Sequence, residues 1–313
     1  MTTAFVFPGQ GSQSVGMMAE LAEHDPVVRQ TFDEASGVLG FDLWKLAAEG
    51  PAEALALTEI TQPVMLVAGV ATWRVWRNRG GAIPQWVAGH SLGEFTALVT
   101  AEVLEYPQAV ALVRFRGEVM RDALPAGQGG MAAVLGLSDA ETEAACAEAS
   151  QGEVVEAVNF NGPGQVVVAG HRTALGRLVE TAKARGATRA LPLPISVPCH
   201  SSLMRPAAER LRERLQSIRI SAPRIRFLSS VDATEYADPA AMADLLYRQL
   251  ASPVRWVATV EELVRRGVDR FVECGPGKVL TGLNRRIDKS PGLACLALED
   301  MASLGNAIQP VAE

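Results

Sequence analysis

Short apolar runs alternate with longer segments whose apolar residues recur at helical spacing, and this alternation predicts an α/β fold on a mostly parallel sheet. Residues 4–7, Ala-Phe-Val-Phe, read as the first strand. A glycine-rich loop, Pro8-Gly9-Gln10-Gly11-Ser12-Gln13, follows and leads into a helical region. Residues 63–77 form a long apolar helix that must be well buried. A strand at 86–88, a helix opening at Glu94 and a helix over 107–124 continue the alternation.

The pattern changes at Pro125-Ala126-Gly127-Gln128-Gly129-Gly130, a run of breakers. Beyond it, 131–137 reads as a strand and 138–149 as a helix, with Ser138 as N-cap and Glu141 completing a capping box. Strands at 154–160 and 165–170 are joined by the tight turn Asn161-Gly162-Pro163-Gly164. A helix over 173–185 stops at Gly186, and 187–193 is a last strand. The order β-α-β-β-α-β is that of a ferredoxin-like unit, whose two ends lie close enough for insertion into another domain. The expected division is a large α/β body, residues 1–127 and 195–313, with an inserted ferredoxin-like subdomain at 128–194. Helices at 201–215, 242–251, 255–266 and 279–287, with strands at 225–230 and 270–274, then finish the large sheet.

Composition narrows the class without naming it. Apolar residues make up 48% of the 313 and charged residues 20%, an ordinary balance for a soluble globular protein. The formal charge of −6 makes no case for nucleic acid or an anionic membrane surface, and no apolar run reaches the length of a membrane span. The start, Met1-Thr2-Thr3-Ala4, lacks the basic region of a signal peptide. Cys146, Cys199, Cys274 and Cys295 have no C-x-x-C spacing, which fits free thiols in a reducing compartment and a cytoplasmic protein.

The candidate chemistry lies in Gly89-His90-Ser91-Leu92-Gly93. A G-x-S-x-G run between a buried strand and a helix is a nucleophile elbow, and it makes the large body hydrolase-like. Ser91 sits at its tip, and the Leu92 N–H, at a helix N-terminus, is placed to receive an oxyanion. The serine needs a base. His24 lies in a polar surface segment, His90 is adjacent to Ser91 and points another way, and His171 ends a subdomain strand. His200 remains, in Ser196-Val197-Pro198-Cys199-His200-Ser201, where the chain re-enters the body. An acid to orient the imidazole is not evident. Asp232 and Glu273 are considered, and backbone carbonyls can also fix the tautomer. A nucleophilic Cys199 is the alternative, without an elbow to present it.

Several further motifs coincide with this pair. Phe7-Pro8-Gly9-Gln10-Gly11-Ser12-Gln13, Gly89-His90-Ser91-Leu92-Gly93-Glu94, Arg116-Gly117 with Met120, Asn159-Phe160-Asn161-Gly162-Pro163-Gly164-Gln165-Val166, Val197-Pro198-Cys199-His200-Ser201 and Gly275-Pro276-Gly277-Lys278-Val279-Leu280 stand in consistent order. Together they resemble the malonyl-CoA:acyl-carrier-protein transacylases of bacterial type II fatty acid synthesis, from about residue 4 to about residue 288. The resemblance implies Ser91 as the acylated nucleophile, His200 as its base held by main-chain carbonyls, and the N–H groups of Gln10 and Leu92 as the oxyanion hole. It also implies Arg116 as the partner of the free malonate carboxylate and Gln249 as a lining residue. Position alone does not select Arg116 over Arg114 or Arg121. A guanidinium does suit a carboxylate, which it holds through two parallel hydrogen bonds. Cys199 departs from the small hydroxyl residue often found before the histidine, and the tail after Lys289 is less family-like.

The implied substrates are malonyl-CoA and acyl carrier protein, whose phosphopantetheine thiol accepts the acyl group. No metal or other cofactor is implied, and a monomer is expected. Carrier protein is acidic, which directs attention to two basic groups: Arg172, Arg177, Lys183, Arg185 and Arg189, and Lys278, Arg285, Arg286 and Lys289. A Ser–His hydrolase, a polyketide-type acyltransferase, a malonate decarboxylase subunit and a carrier-protein docking module are the rival readings.

Overall fold

The computed structural model describes residues 1–308 and contains ten strands. In chain order they are β1 (Thr3–Phe7), β2 (Trp86–Gly89), β3 (Gly129–Leu135), β4 (Val155–Gly162), β5 (Gln165–His171), β6 (Arg189–Pro192), β7 (Arg226–Leu228), β8 (Glu235–Tyr236), β9 (Arg270–Glu273) and β10 (Ala294–Ala297). One sheet has the order β10-β9-β1-β2-β7-β8 and is parallel except for the β7–β8 pair. Its central strands β1 and β2 are buried almost throughout, as expected of parallel strands covered on both faces. The second sheet is antiparallel, with the order β4-β5-β3-β6. Each of its β-α-β crossovers skips one strand, the split arrangement of a ferredoxin-like unit. The α/β class with a mostly parallel sheet is the one that the sequence predicts. The smaller sheet packs its own helices, Asp139–Ser150 and Arg172–Ala184, around Val134, Val166, Val168 and Leu178. The capping box of Ser138 and Glu141 is present.

The small sheet is fastened to the body along β4. The Phe160 N–H donates to the Val254 carbonyl (2.9 Å), and the Val254 N–H to the Val158 carbonyl (2.8 Å). The Glu156 carboxylate accepts from both the N–H and the hydroxyl of Ser202, each at 2.7 Å. A single body residue thus closes the edge of β4, and β4 carries Asn159 and Asn161 to the elbow.

Three differences from the sequence expectations have physical causes. The apolar helix runs over Thr58–Asn78, so Pro63 lies inside it. Proline has no N–H for the Glu59 carbonyl four residues earlier. The Arg114 guanidinium donates to that carbonyl instead, at 3.0 Å. β7 ends at Leu228, short of the expected 230, because Ser229 and Ser230 turn away to bind the Glu94 carboxylate. The tail after Lys289 extends the sheet, which β9 does not finish: β10 pairs with β9, and the helix Met301–Ile308 packs beside it. Among the described residues, no helix is long and apolar enough to cross a membrane.

Candidate active site

The elbow is built on close backbone approach. A Cβ on Gly89 would stand 2.0 Å from the Gly93 carbonyl carbon, and one on Gly93 would stand 2.0 Å from the Phe7 carbonyl oxygen. Only glycine fits either position, and β1 can therefore lie directly against the turn. Ser91, between them, has a φ of 53°, a left-handed conformation uncommon outside glycine. That turn sets its hydroxyl ahead of the helix Gly93–Thr100. Gln10, Ser91 and Leu92 line one cavity of about 460 Å³. Neither the Gln10 nor the Leu92 N–H has a backbone acceptor among the described residues, which leaves both donors available to an oxyanion.

His200 meets the serine from the opposite wall. Its Nε2 lies 2.6 Å from Ser91 Oγ, and its own φ is 66°. Nδ1 lies 3.0 Å from the Gln249 carbonyl oxygen and 3.1 Å from that of Ser252. Carbonyls only accept, so Nδ1 carries the proton and Nε2 is the lone-pair nitrogen facing the hydroxyl. Burial, reinforced by the positive Arg116, pushes the His200 pKa down to about 3, against the opposing pull of the two carbonyls. The ring is therefore neutral at physiological pH, with the Nε2 lone pair free to face the hydroxyl. The two acids considered from sequence are elsewhere. Glu273 accepts the N–H groups of Leu280 and Thr281, and Asp232 accepts the Tyr236 hydroxyl.

Arg116 is only 1% exposed and, among the described residues, has no carboxylate within ion-pair distance. Its Nη1 donates to Gln62 Oε1 at 2.7 Å and its Nη2 to Gln249 Oε1 at 3.0 Å, while Nε has no partner. The guanidinium lies over Phe95 and borders the cavity that holds Ser91 and His200. Burial lowers its pKa to about 10, which leaves it cationic at neutral pH. Glu94, the buried carboxylate whose charge acts on Arg116, is separated from it by Gln249 and does not pair with it directly. Among the described residues the guanidinium therefore has only amide oxygens as hydrogen-bond acceptors, and it can take an anion from the cavity. Arg114 and Arg121 are occupied elsewhere: Arg114 with Glu118 and the Glu59 carbonyl, Arg121 with Glu59 and Asp122. Structure therefore separates three arginines that position along the chain does not.

The acyl transferase domain family matches residues 4–306. The chain belongs to this acyl transferase family. Its sequence is 52% identical over 305 residues to the malonyl CoA-acyl carrier protein transacylase of Salmonella typhimurium, covering 97% of this chain and 98% of that one. The crystal structure of an acyl-carrier-protein S-malonyltransferase from Burkholderia pseudomallei superposes with a TM-score of 0.96 at 54% identity, covering 98% of this chain and 99% of that one. A malonyl-transacylase in complex with a type II polyketide acyl-carrier protein also has a TM-score of 0.96, at 49% identity, with 98% and 99% covered.

The remaining residues of interest fall into place on the acyl transferase. Cys199 is buried beside the cavity, and burial pushes its thiol up to about 11, the reverse of what a thiolate nucleophile requires. His24 is exposed, and His171 Nδ1 accepts the Val154 N–H. His90 Nε2 lies 2.8 Å from Asn161 Oδ1, joining the elbow to β4. Gln62 and Glu94 are site residues that the sequence reading passes over. Each left a signal: a glutamine amid an apolar helix, and a carboxylate on the first turn of a helix with no solvent-facing side. A buried polar side chain needs a partner, and both find theirs in this site.

Proposed function

We propose that this acyl transferase moves the malonyl group of malonyl-CoA to the phosphopantetheine thiol of acyl carrier protein through a malonyl ester on Ser91. The observation that carries the reading is Arg116, a buried cation with no carboxylate partner among the described residues, on the same cavity as the Ser91–His200 pair. The names of its close relatives support it.

In the first half-reaction Ser91 Oγ attacks the thioester carbonyl carbon while His200 Nε2 takes the hydroxyl proton. The Gln10 and Leu92 N–H groups receive the charge that develops on the carbonyl oxygen. Collapse breaks the carbon–sulfur bond, and the departing CoA thiolate takes the proton from His200. In the second half-reaction the carrier thiol gives its proton to His200 and attacks the ester, and Ser91 leaves with that proton. Arg116 holds the malonyl carboxylate throughout, with Gln249, which does not line the cavity itself, supporting the guanidinium from behind. A carboxylate there also offsets the positive charge that depresses His200, so the correct acyl group strengthens its own base. The steps call on no metal or redox cofactor.

The body of residues 1–127 and 195–313 and the subdomain of 128–194 would then supply facing walls, a division supported by the separate core of the smaller sheet. We place the enzyme in the cytoplasm and treat it as a monomer. For carrier-protein docking the group Lys278, Arg285, Arg286 and Lys289 is favoured, because Val279, Leu280 and Leu283 of the same helix line the cavity. In the other group three side chains, Arg177, Lys183 and Arg185, are paired with Glu153, Glu180 and Glu148, whereas in the favoured group Lys278 is paired, with Glu299. Reversing charge at Arg285 and Arg286 is expected to raise KM for carrier protein, by about tenfold at low salt, and to spare KM for malonyl-CoA. The assay is malonyl transfer to holo-carrier protein. Release of free malonate in place of malonyl-carrier protein would assign a hydrolase.

A further inference from the structure

We infer that Glu94 is a positioning residue, its buried carboxylate holding the Gln249 amide in the one orientation that serves Arg116 while the Gln249 carbonyl serves His200. The inference rests on malonyl transfer as proposed above, but the residue takes no part in the steps described there.

Glu94 sits on the first turn of the elbow helix, fully buried. One carboxylate oxygen accepts from the Ser229 hydroxyl at 2.9 Å, and from the N–H and hydroxyl of Ser230. The other accepts from Gln249 Nε2, which also donates to the Ser91 carbonyl at 2.9 Å. Burial pushes the Glu94 carboxyl up, but four donors converge on its two oxygens and favour the ionised form. Both it and the Ser91 carbonyl are therefore acceptors, and they select the NH₂ end of the amide. The oxygen end is then left for Arg116 Nη2. A flipped amide would set its oxygen against the carboxylate and its NH₂ against the guanidinium, losing three hydrogen bonds at once. Gln249 also closes the helix Pro239–Gln249, and its main-chain carbonyl is one of the two that hold His200 Nδ1. One carboxylate thereby ties the nucleophile's backbone, the base and the acyl-binding cation into a single buried unit. The second carbonyl on His200, from Ser252, lies outside this unit, so the base keeps part of its support without Glu94.

Glu94→Gln is the discriminating variant. The new amide keeps its oxygen toward the Ser229 and Ser230 donors and turns its NH₂ toward Gln249 Nε2. Two donors then face each other, and Gln249 is driven to flip. Malonyl-CoA kcat/KM should fall by about tenfold more than acetyl-CoA kcat/KM, because only malonyl uses Arg116. Gln249→Met is the second variant. It removes the link, leaves Glu94 with its serine donors, and should lower the malonyl-to-acetyl ratio by a similar factor. A general structural weakening would lower both substrates together. If either variant is folded by thermal melt and keeps the wild-type ratio, the role of Glu94 is overturned while malonyl transfer by the wild type stands. A wild type without any malonyl preference overturns the functional reading, and this inference with it.

Discussion

Replacing His200 with alanine is expected to slow acylation of Ser91 by about a thousandfold, the usual loss when a positioned general base is removed. Among the described residues the Ser91 hydroxyl is the only side-chain group bonded to Nε2, and the other ring nitrogen is committed to carbonyls. No second base stands in for it. His90, the nearest alternative in sequence, faces Asn161. The same geometry fixes the pH dependence. Because burial holds His200 far below its ordinary 6.5, the base-competent neutral form persists as pH falls through 6.5 and is lost only near 3. Initial acylation rates should therefore show no acid limb near pH 6.5. A limb there would mean that the ring is hydrated in the free enzyme.

Replacing Arg116 with alanine should cost malonyl-CoA about 2–5 kcal/mol in kcat/KM, or roughly thirtyfold to several thousandfold, the range for removing one partner of a buried charge pair. Acetyl-CoA, which brings no carboxylate, loses far less, so the preference for malonyl collapses. Lysine at this position should not restore it. An ammonium has no planar fork for a carboxylate and lacks the two separate guanidinium nitrogens that Gln62 and Gln249 bind. Competition between malonyl-CoA and acetyl-CoA for one enzyme sample gives the ratio directly. A preserved malonyl preference in Arg116→Ala would remove the arginine from acyl recognition.

Much of this arrangement was legible in the chain because local rules and the fold agree. The elbow declares itself through two glycines that backbone contact requires, and the small sheet through its breakers and capping box. The pairing of Ser91 with His200 is legible because the chain has only four histidines, and the other three do not face the elbow serine. What stayed hidden was long-range. Arg116, Arg114 and Arg121 share one helix, and only the fold shows that two of them are spent on carboxylates or on the carbonyl freed by Pro63. Gln62 escapes notice because a proline at 63 predicts a helix start there, whereas the helix tolerates it by borrowing Arg114. Glu94 looked like an ordinary acidic residue at a helix N-terminus. Its true partners are some 135 to 155 positions away, beyond any local pattern. Asp232 and Glu273 failed as orienting acids for the complementary reason: main-chain carbonyls leave no trace in side-chain identity.

The most direct test is the intact mass of the protein after mixing with malonyl-CoA, for the wild type and for Ser91→Ala. The account predicts a gain of about 86 Da on the wild type alone, discharged by holo-carrier protein faster than by water. An unmodified wild type, or an adduct that persists in Ser91→Ala, would contradict it.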